Sequence, residues 1–189
     1  MESNVKKLLK DSGALLEGHF LLTSGRHSNK YVEKFRLMES PEHLDRICKL
    51  MSDIYKQENV DIVLGAAIGG ILLSGGVGKH LDKKTIFTER VEGKMELRRG
   101  FEIKDNDRVL IVEDIVSTGG SIFELIDVVE EYNGRVMGIV SIVNRSVDEI
   151  NFGYNFKSLL KYPIQSYDSI ECPECLQDIP MTQRGRSGK

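Results

Sequence analysis

The stretch from Arg108 to Ser121, RVLIVEDIVSTGGS, constrains this chain more than any other. Its four residues Val109 to Val112 have the branched, non-alternating character of a strand buried on both faces. They run directly into two adjacent carboxylates, Glu113 and Asp114, and two further apolar residues, Ile115 and Val116. A hydroxyl- and glycine-rich turn follows, Ser117-Thr118-Gly119-Gly120-Ser121, and a helical pattern begins at once. A strand that ends in acids and feeds such a loop at a helix N-terminus fits a sugar phosphate. The loop N–H groups and the helix dipole suit a dianionic phosphate. The hydroxyls supply further donors, and the carboxylates are placed to accept hydrogen bonds from ribose hydroxyls.

Strands and helices alternate on either side of this segment. Short apolar strands are expected at Asp61–Leu64, Thr85–Thr88 and Val136–Val143, with helices over Ile71–Leu81 and Ile122–Tyr132. Ile122, Leu125, Ile126 and Val129 recur at i, i+3, i+4 and i+7, a stripe that would pack on the sheet. Gly134 stands where a helix stop is expected. The N-terminal segment reads as a short amphipathic helix with Val5, Leu8 and Leu9 on one face. These elements imply one α/β domain over 1–189 with a mainly parallel central sheet flanked by helices. The polar tail from 182 to 189 is expected to be disordered.

Composition narrows the function classes. A formal net charge of -3 argues against a general nucleic-acid binder. No apolar run approaches the ~18–20 residues that span a bilayer. The N-terminus lacks the apolar core of a secretory signal, and three cysteines suggest no disulfide framework. A cytoplasmic protein with no membrane partner is the simple expectation.

The 108–121 stretch resembles the phosphoribosyl pyrophosphate (PRPP) motif of type I phosphoribosyltransferases: four apolar residues, two acids, two apolar residues, then T-x-G-x-[ST]. Ser117 departs from the usual Thr but keeps the hydroxyl. The resemblance implies that Ser117, Thr118, Gly119, Gly120 and Ser121 hold the 5'-phosphate, with Ile115 and Val116 alongside. Glu113 and Asp114 would hold the ribose hydroxyls.

The loop Gly65-Ala66-Ala67-Ile68-Gly69-Gly70 follows a strand and opens a helix. It fails the G-x-G-x-x-G pattern at Ala67, and Gly78-Lys79 fails as a P-loop because Leu73 and His80 occupy required positions. A backbone anion loop remains. By resemblance it is the pyrophosphate loop, binding through backbone groups at Ala67 and Ile68.

Gly18–Phe35, GHFLLTSGRHSNKYVEKF, resembles the hood of orotate phosphoribosyltransferases, F-x-L-x-SGR-x-S before an aromatic pair. Phe20, Leu22, Ser24, Gly25, Arg26 and Ser28 match, Tyr31-Val32 align with the pair, and Thr23 replaces a frequent lysine. The hood would comprise about residues 1–38 plus C-terminal residues. Orotate would then meet Arg26, Tyr31, Ser117 and Arg145. Arg145 follows the last strand, and a guanidinium clamps a planar carboxylate through two parallel hydrogen bonds.

From Glu89 to Asp107 the chain is charged and glycine-punctuated, too long for an ordinary α/β connection. Resemblance makes it a flexible lid whose Arg90 and Lys94 contact pyrophosphate, Lys94 serving catalysis with Glu113 and Asp114. A solvated β-ribbon is the plainer alternative. Val91 and Glu96 stand where relatives carry lysine and histidine, and Arg98 and Arg99 could replace that charge. Lids of this kind often reach the neighbouring subunit, which implies a homodimer, and Mg²⁺ is implied as the cofactor arriving with PRPP.

Two other readings share the motif. A purine or xanthine phosphoribosyltransferase would not need Arg145 opposite a carboxylate. A PRPP-sensing regulator would need a DNA-binding domain that the few residues ahead of the hood do not hold. Finally, Cys172-Pro173-Glu174-Cys175 is half a zinc knuckle. A structural zinc needs four ligands, and with only Cys48 and scattered histidines left, two reduced thiols and no metal are expected.

Overall fold

The computed structural model describes residues 2–184. Six strands form the central sheet: β3 (Ile62–Ala66), β4 (Lys84–Val91), β5 (Lys94–Leu97), β6 (Arg108–Val116), β7 (Arg135–Asn144) and β8 (Phe156–Lys161). Their order is β5-β4-β3-β6-β7-β8, and every pairing is parallel except the β4–β5 hairpin. A second sheet, ordered β2-β1-β9, is built from β1 (Leu15–Leu21), β2 (His27–Val32) and β9 (Met181–Gln183). This is the α/β architecture expected, with a small separate sheet where the hood was placed.

Alternation along β6 explains why its sequence shows no alternation of polarity. Leu110 and Val112 point to one core, with α1 (Glu2–Asp11), α3 (Pro41–Tyr55) and α4 (Gly69–Leu81). Val109 and Ile111 point to the other, against α5 (Gly120–Glu131). Successive residues face opposite sides, both sides are covered, and so every position is apolar. The α5 stripe packs as its spacing implies, with Ile122, Leu125, Ile126 and Val129 all buried. In α1, Val5, Leu8 and Leu9 are buried.

The helix α3, absent from the sequence expectations, has clear local causes. Ser40 caps it, accepting from the His43 N–H at 3.4 Å, and Pro41 occupies the first turn. Its buried face carries Ile47, Cys48, Met51 and Tyr55. The Tyr55 hydroxyl lies 3.1 Å from the carbonyl oxygens of both Ile139 and Asn155, tying α3 to the β7–β8 region. The short α2 (Lys34–Met38) buries Leu37 and Met38 beside it.

One expectation needs correction and another gains detail. About half of the segment read as a flexible lid, with a β-ribbon as the alternative, is regular: β4 runs on to Val91, turns at Glu92-Gly93 and returns as β5. Both turn residues have positive φ, 48° and 89°, the signature of a two-residue hairpin whose twist matches its strands. At the other end of the chain, Thr182 and Gln183 pair with Phe20 and Leu21 rather than joining the tail. Residues 185–189 of that tail lie outside the described residues.

Candidate active site

Register brings the carboxyl ends of β3, β6 and β7 to one edge. Val112 pairs with Gly65 and Val116 with Asn144. The loops leaving these strands therefore share a crevice, the usual ligand position in an open parallel sheet.

Glu113 and Asp114 sit at this edge and are buried, 7% and 3% exposed. Glu113 Oε1 accepts from the Asp114 N–H at 2.9 Å, and Asp114 Oδ1 from the Ile115 N–H at 2.7 Å. Burial, reinforced by the adjacent Asp114 charge, raises the Glu113 carboxyl well above the usual carboxylate range. The other Asp114 oxygen, Oδ2, accepts from Lys34 Nζ at 2.5 Å. Lys34 was not among the sequence candidates, because 80 residues separate it from its partner.

The loop after β6 is an anion cradle. The N–H groups of Ser117, Thr118 and Gly119 donate to no acceptor among the described residues. Gly119 holds φ 82° at the start of α5, and a Cβ there would lie 2.7 Å from the Phe152 ring. Only glycine satisfies both the left-handed backbone and the close contact. Thr118 and Gly120 are exposed, whereas Ser117 and Ser121 are half-buried.

The loop from Gly65 to Gly70 packs so tightly that side chains are excluded. A Cβ on Gly69 would lie 1.9 Å from Asp114 Oδ2, and one on Gly65 would lie 2.2 Å from the Gly70 carbonyl oxygen. The Ala67 N–H is used by the Thr88 carbonyl at 2.8 Å. Ile68 is 72% exposed, and its N–H has no acceptor among the described residues.

Arg145 leaves the end of β7, its N–H donating to the Val116 carbonyl at 2.8 Å. Its guanidinium is half-buried and pairs with no carboxylate among the described residues. Desolvation lowers its pKa, and the neighbouring Tyr31 opposes that shift. Tyr31, half-buried, has its hydroxyl raised first by burial and then by Glu33. A surface salt bridge is thus not what Arg145 makes. Arg26, by contrast, is engaged. It donates to Ser166 Oγ at 2.9 Å, the Ser166 carbonyl at 2.8 Å and Asp168 Oδ1 at 2.9 Å.

The hairpin cations divide similarly. Arg90 donates to Glu124 of α5 at 2.9 Å and to the Gly93 carbonyl at 2.5 Å. Lys94 is exposed beside the turn, without a salt-bridge partner among the described residues. Arg99 makes a two-pronged pair with Glu89 at 2.7 and 2.9 Å, and Arg98 lies 3.5 Å from Glu96. Both thus lie beside hairpin acids in this conformation.

Residues 36–177 match the family model described as the phosphoribosyl transferase domain. The chain belongs to the phosphoribosyl transferase family. It is 43% identical over 184 residues to an orotate phosphoribosyltransferase of Thermotoga maritima, covering 97% of this chain and 98% of that one. A Caldicellulosiruptor saccharolyticus protein of the same name is 41% identical over 179 residues, covering 95% and 94%. Among solved structures, orotate phosphoribosyltransferase from Aeropyrum pernix superposes with a TM-score of 0.72 at 25% identity, covering 83% of this chain and 93% of that one. The adenine phosphoribosyltransferase of Thermoanaerobacter pseudethanolicus, at 17% identity and a TM-score of 0.62, shares the fold.

In this phosphoribosyl transferase the strand-end donors are oxygens: the Glu113 and Asp114 carboxylates and the Ser117 and Thr118 hydroxyls. Such a set fits a hard cation such as Mg²⁺ that arrives bound to a diphosphate and needs few protein ligands. A further grouping lies in the hood. His19 and His27, expected to be scattered, converge on Cys172 and Cys175, the four side-chain donor atoms lying within 4.8 Å of one another.

Proposed function

We propose that this chain transfers the 5-phosphoribosyl group from PRPP to orotate, giving orotidine 5'-monophosphate and pyrophosphate in pyrimidine synthesis. The observation that carries the reading is Arg145. A desolvated guanidinium left unpaired inside a protein calls for an anionic ligand. Orotate supplies a planar carboxylate that accepts two parallel hydrogen bonds, whereas adenine and uracil have none. Tyr31 adds a ring beside it for the base.

The remaining roles belong to the same proposal. The free N–H groups of Ser117 to Gly119, ahead of α5, take the 5'-phosphate, joined by the Ser117, Thr118 and Ser121 hydroxyls. Glu113 and Asp114 accept from the ribose hydroxyls. The Ile68 N–H, which has no acceptor among the described residues, meets the diphosphate, while the Ala67 N–H stays with the Thr88 carbonyl. The C1'–oxygen bond to pyrophosphate breaks as a ring nitrogen of orotate forms its bond to C1', and the chain's task is positioning. Mg²⁺ would neutralise charge on the departing diphosphate. Lys94 and Arg90 extend that stabilisation when the β4–β5 hairpin closes, and closure excludes water from PRPP. Lys94 on the exposed hairpin suits a homodimer in which it serves the adjoining subunit's site. Among the described residues no helix is long and apolar enough to cross a membrane, and we place the reaction in the cytoplasm.

Orotate consumption followed spectrophotometrically with PRPP and Mg²⁺, beside uracil, xanthine and adenine, tests the reading. Turnover of orotate alone is expected. Turnover of a purine instead, or PRPP binding without turnover of any base, would overturn it.

A further inference from the structure

The hood sheet ends in a four-donor cluster that the transfer reaction does not use. His19 lies on β1, His27 opens β2, and Cys172 and Cys175 flank the start of the short helix α6 (Pro173–Leu176). Three chain segments separated by up to 156 residues meet here. His19, His27 and Cys172 are buried, and Cys175 is half-buried.

Three S–N separations are those of a tetrahedral S₂N₂ shell. Cys175 Sγ lies 3.5 Å from His19 Nε2 and 3.3 Å from His27 Nδ1, and Cys172 Sγ lies 3.6 Å from His19 Nε2. Zn–S bonds of about 2.3 Å and Zn–N bonds of about 2.0–2.1 Å at tetrahedral angles separate S from N by about 3.5 Å. The two imidazole nitrogens stand 2.9 Å apart, and tetrahedral zinc needs about 3.3 Å between them. A shift of a few tenths of an ångström opens the space.

A second, independent feature points the same way. His19 Nδ1 lies 2.8 Å from the Ile179 carbonyl oxygen. A carbonyl only accepts, so the proton sits on Nδ1 and the Nε2 lone pair faces the thiols. Metal-binding histidines are held in this manner, the outer nitrogen donating to backbone or carboxylate. Glu174, also buried, puts its carboxylate 3.5 Å from Cys172 Sγ and adds negative charge beside the cluster. A bare dithiol turn has no need of two buried imidazoles aimed at it.

We propose that His19, His27, Cys172 and Cys175 bind one structural zinc ion that pins the C-terminal segment to the hood. Two thiolates and two imidazoles select zinc over hard cations such as Mg²⁺. With four protein ligands the shell is closed, so the ion is structural, not catalytic. It fixes α6 and, five residues on, the strand β9 that pairs with β1 at His19↔Met181. It also braces His27, whose N–H and carbonyl bond the Tyr167 backbone at 2.8 Å next to the Arg26–Asp168 pair.

The full chain, expressed without a polyhistidine tag, should carry about one zinc per chain by plasma mass spectrometry. The Cys172→Ser/Cys175→Ser variant should carry under about a tenth of that. With Mg²⁺ in excess, a zinc-selective chelator should lower the melting temperature of the wild type by more than about 5 °C, and re-added zinc should restore it. Should the double variant fail to fold, titrating the stripped wild type with Co²⁺ decides: intense visible bands of tetrahedral cobalt–thiolate coordination are expected. Wild type that holds no zinc, shows no cobalt spectrum and melts unchanged with chelator would overturn the proposal, as would a Cys172–Cys175 disulfide in the purified protein.

Discussion

Lys34 Nζ stands 2.5 Å from Asp114 Oδ2, bridging the end of the hood to the acidic end of β6. Asp114 is nearly fully buried, while the lysine stays about one-third exposed. The ammonium supplies the counter-charge that a buried carboxylate needs, and it fixes the oxygen that the Ile115 N–H does not hold. Lys34→Met should therefore lower kcat/KM for PRPP by about ten- to a hundred-fold, the scale of one hydrogen bond to a charged group. Steady-state kinetics with varied PRPP checks this, and a change under about twofold would rule out a positioning role.

Arg145 should behave oppositely towards stability. Its half-buried guanidinium has no counter-charge among the described residues, so removing it takes away a desolvated cation and breaks no ion pair. Arg145→Ala should leave the melting temperature unchanged or slightly raised while orotate turnover falls by about a hundred-fold or more. Arg145→Lys keeps the charge but loses the fork, and should recover only part of the orotate affinity. A variant that melts well below wild type would mark Arg145 as structural.

Why some of this was legible and some was not follows from sequence separation. The motif at 108–121 is local: strand, acids, loop and helix are contiguous, and both-face burial leaves a run of Val and Ile that needs no partner to be recognised. The Lys34–Asp114 pair joins residues 80 apart and has no local signature, and the four-donor cluster shows only half of one, Cys172-Pro173-Glu174-Cys175, because His19 and His27 come from strands 145 or more residues away. The hairpin was obscured for another reason. Around its turn only Met95 is a buried apolar residue, and charged residues take five of the nine positions from Glu89 to Leu97, so alternation carries almost no hydrophobic signal there. The Arg99–Glu89 pair that steadies it joins residues ten apart, and composition alone reads such charges as solvated.

Two carboxylates should give the stability profile opposite slopes. Asp61 is held down to about 2, first by the Arg108 side-chain hydrogen bonds at 2.7 and 2.8 Å and then by the Arg108 N–H. A depressed acid stabilises the fold above its unfolded value near 3.8, and that stability is lost as pH falls towards about 2. Asp61→Asn should flatten the acid limb in that window. Glu113 is raised instead, so the folded state binds more protons, and stability falls as pH rises above the ordinary carboxylate value of 4.5. Glu113→Gln should match wild type below that value and become the more stable protein as pH rises through neutrality, at the cost of activity. Urea melts from pH 2 to pH 9 test both, and parallel curves for wild type and Glu113→Gln would refute the buried-acid assignment.

Two glycines of α4 separate helix propensity from site geometry. Gly75 has open space where a Cβ would go, and Gly69 has Asp114 Oδ2 at 1.9 Å. Both lie in the same helix, and alanine is preferred over glycine in a helix interior by about 0.5–1 kcal/mol. Gly75→Ala should therefore stabilise the protein by roughly that amount and leave kcat/KM unchanged. Gly69→Ala cannot be accommodated by rotation of a long side chain, because the obstructing group is a short, buried carboxylate already held by Lys34 and the Ile115 N–H. It should displace Asp114, and an ångström-scale error in a positioned group costs on the order of a hundred-fold in rate. Paired melting curves and PRPP kinetics on the two variants give the answer. Full activity in Gly69→Ala would mean that the crevice relaxes more readily than the packing of Gly65, Gly69 and Gly70 implies.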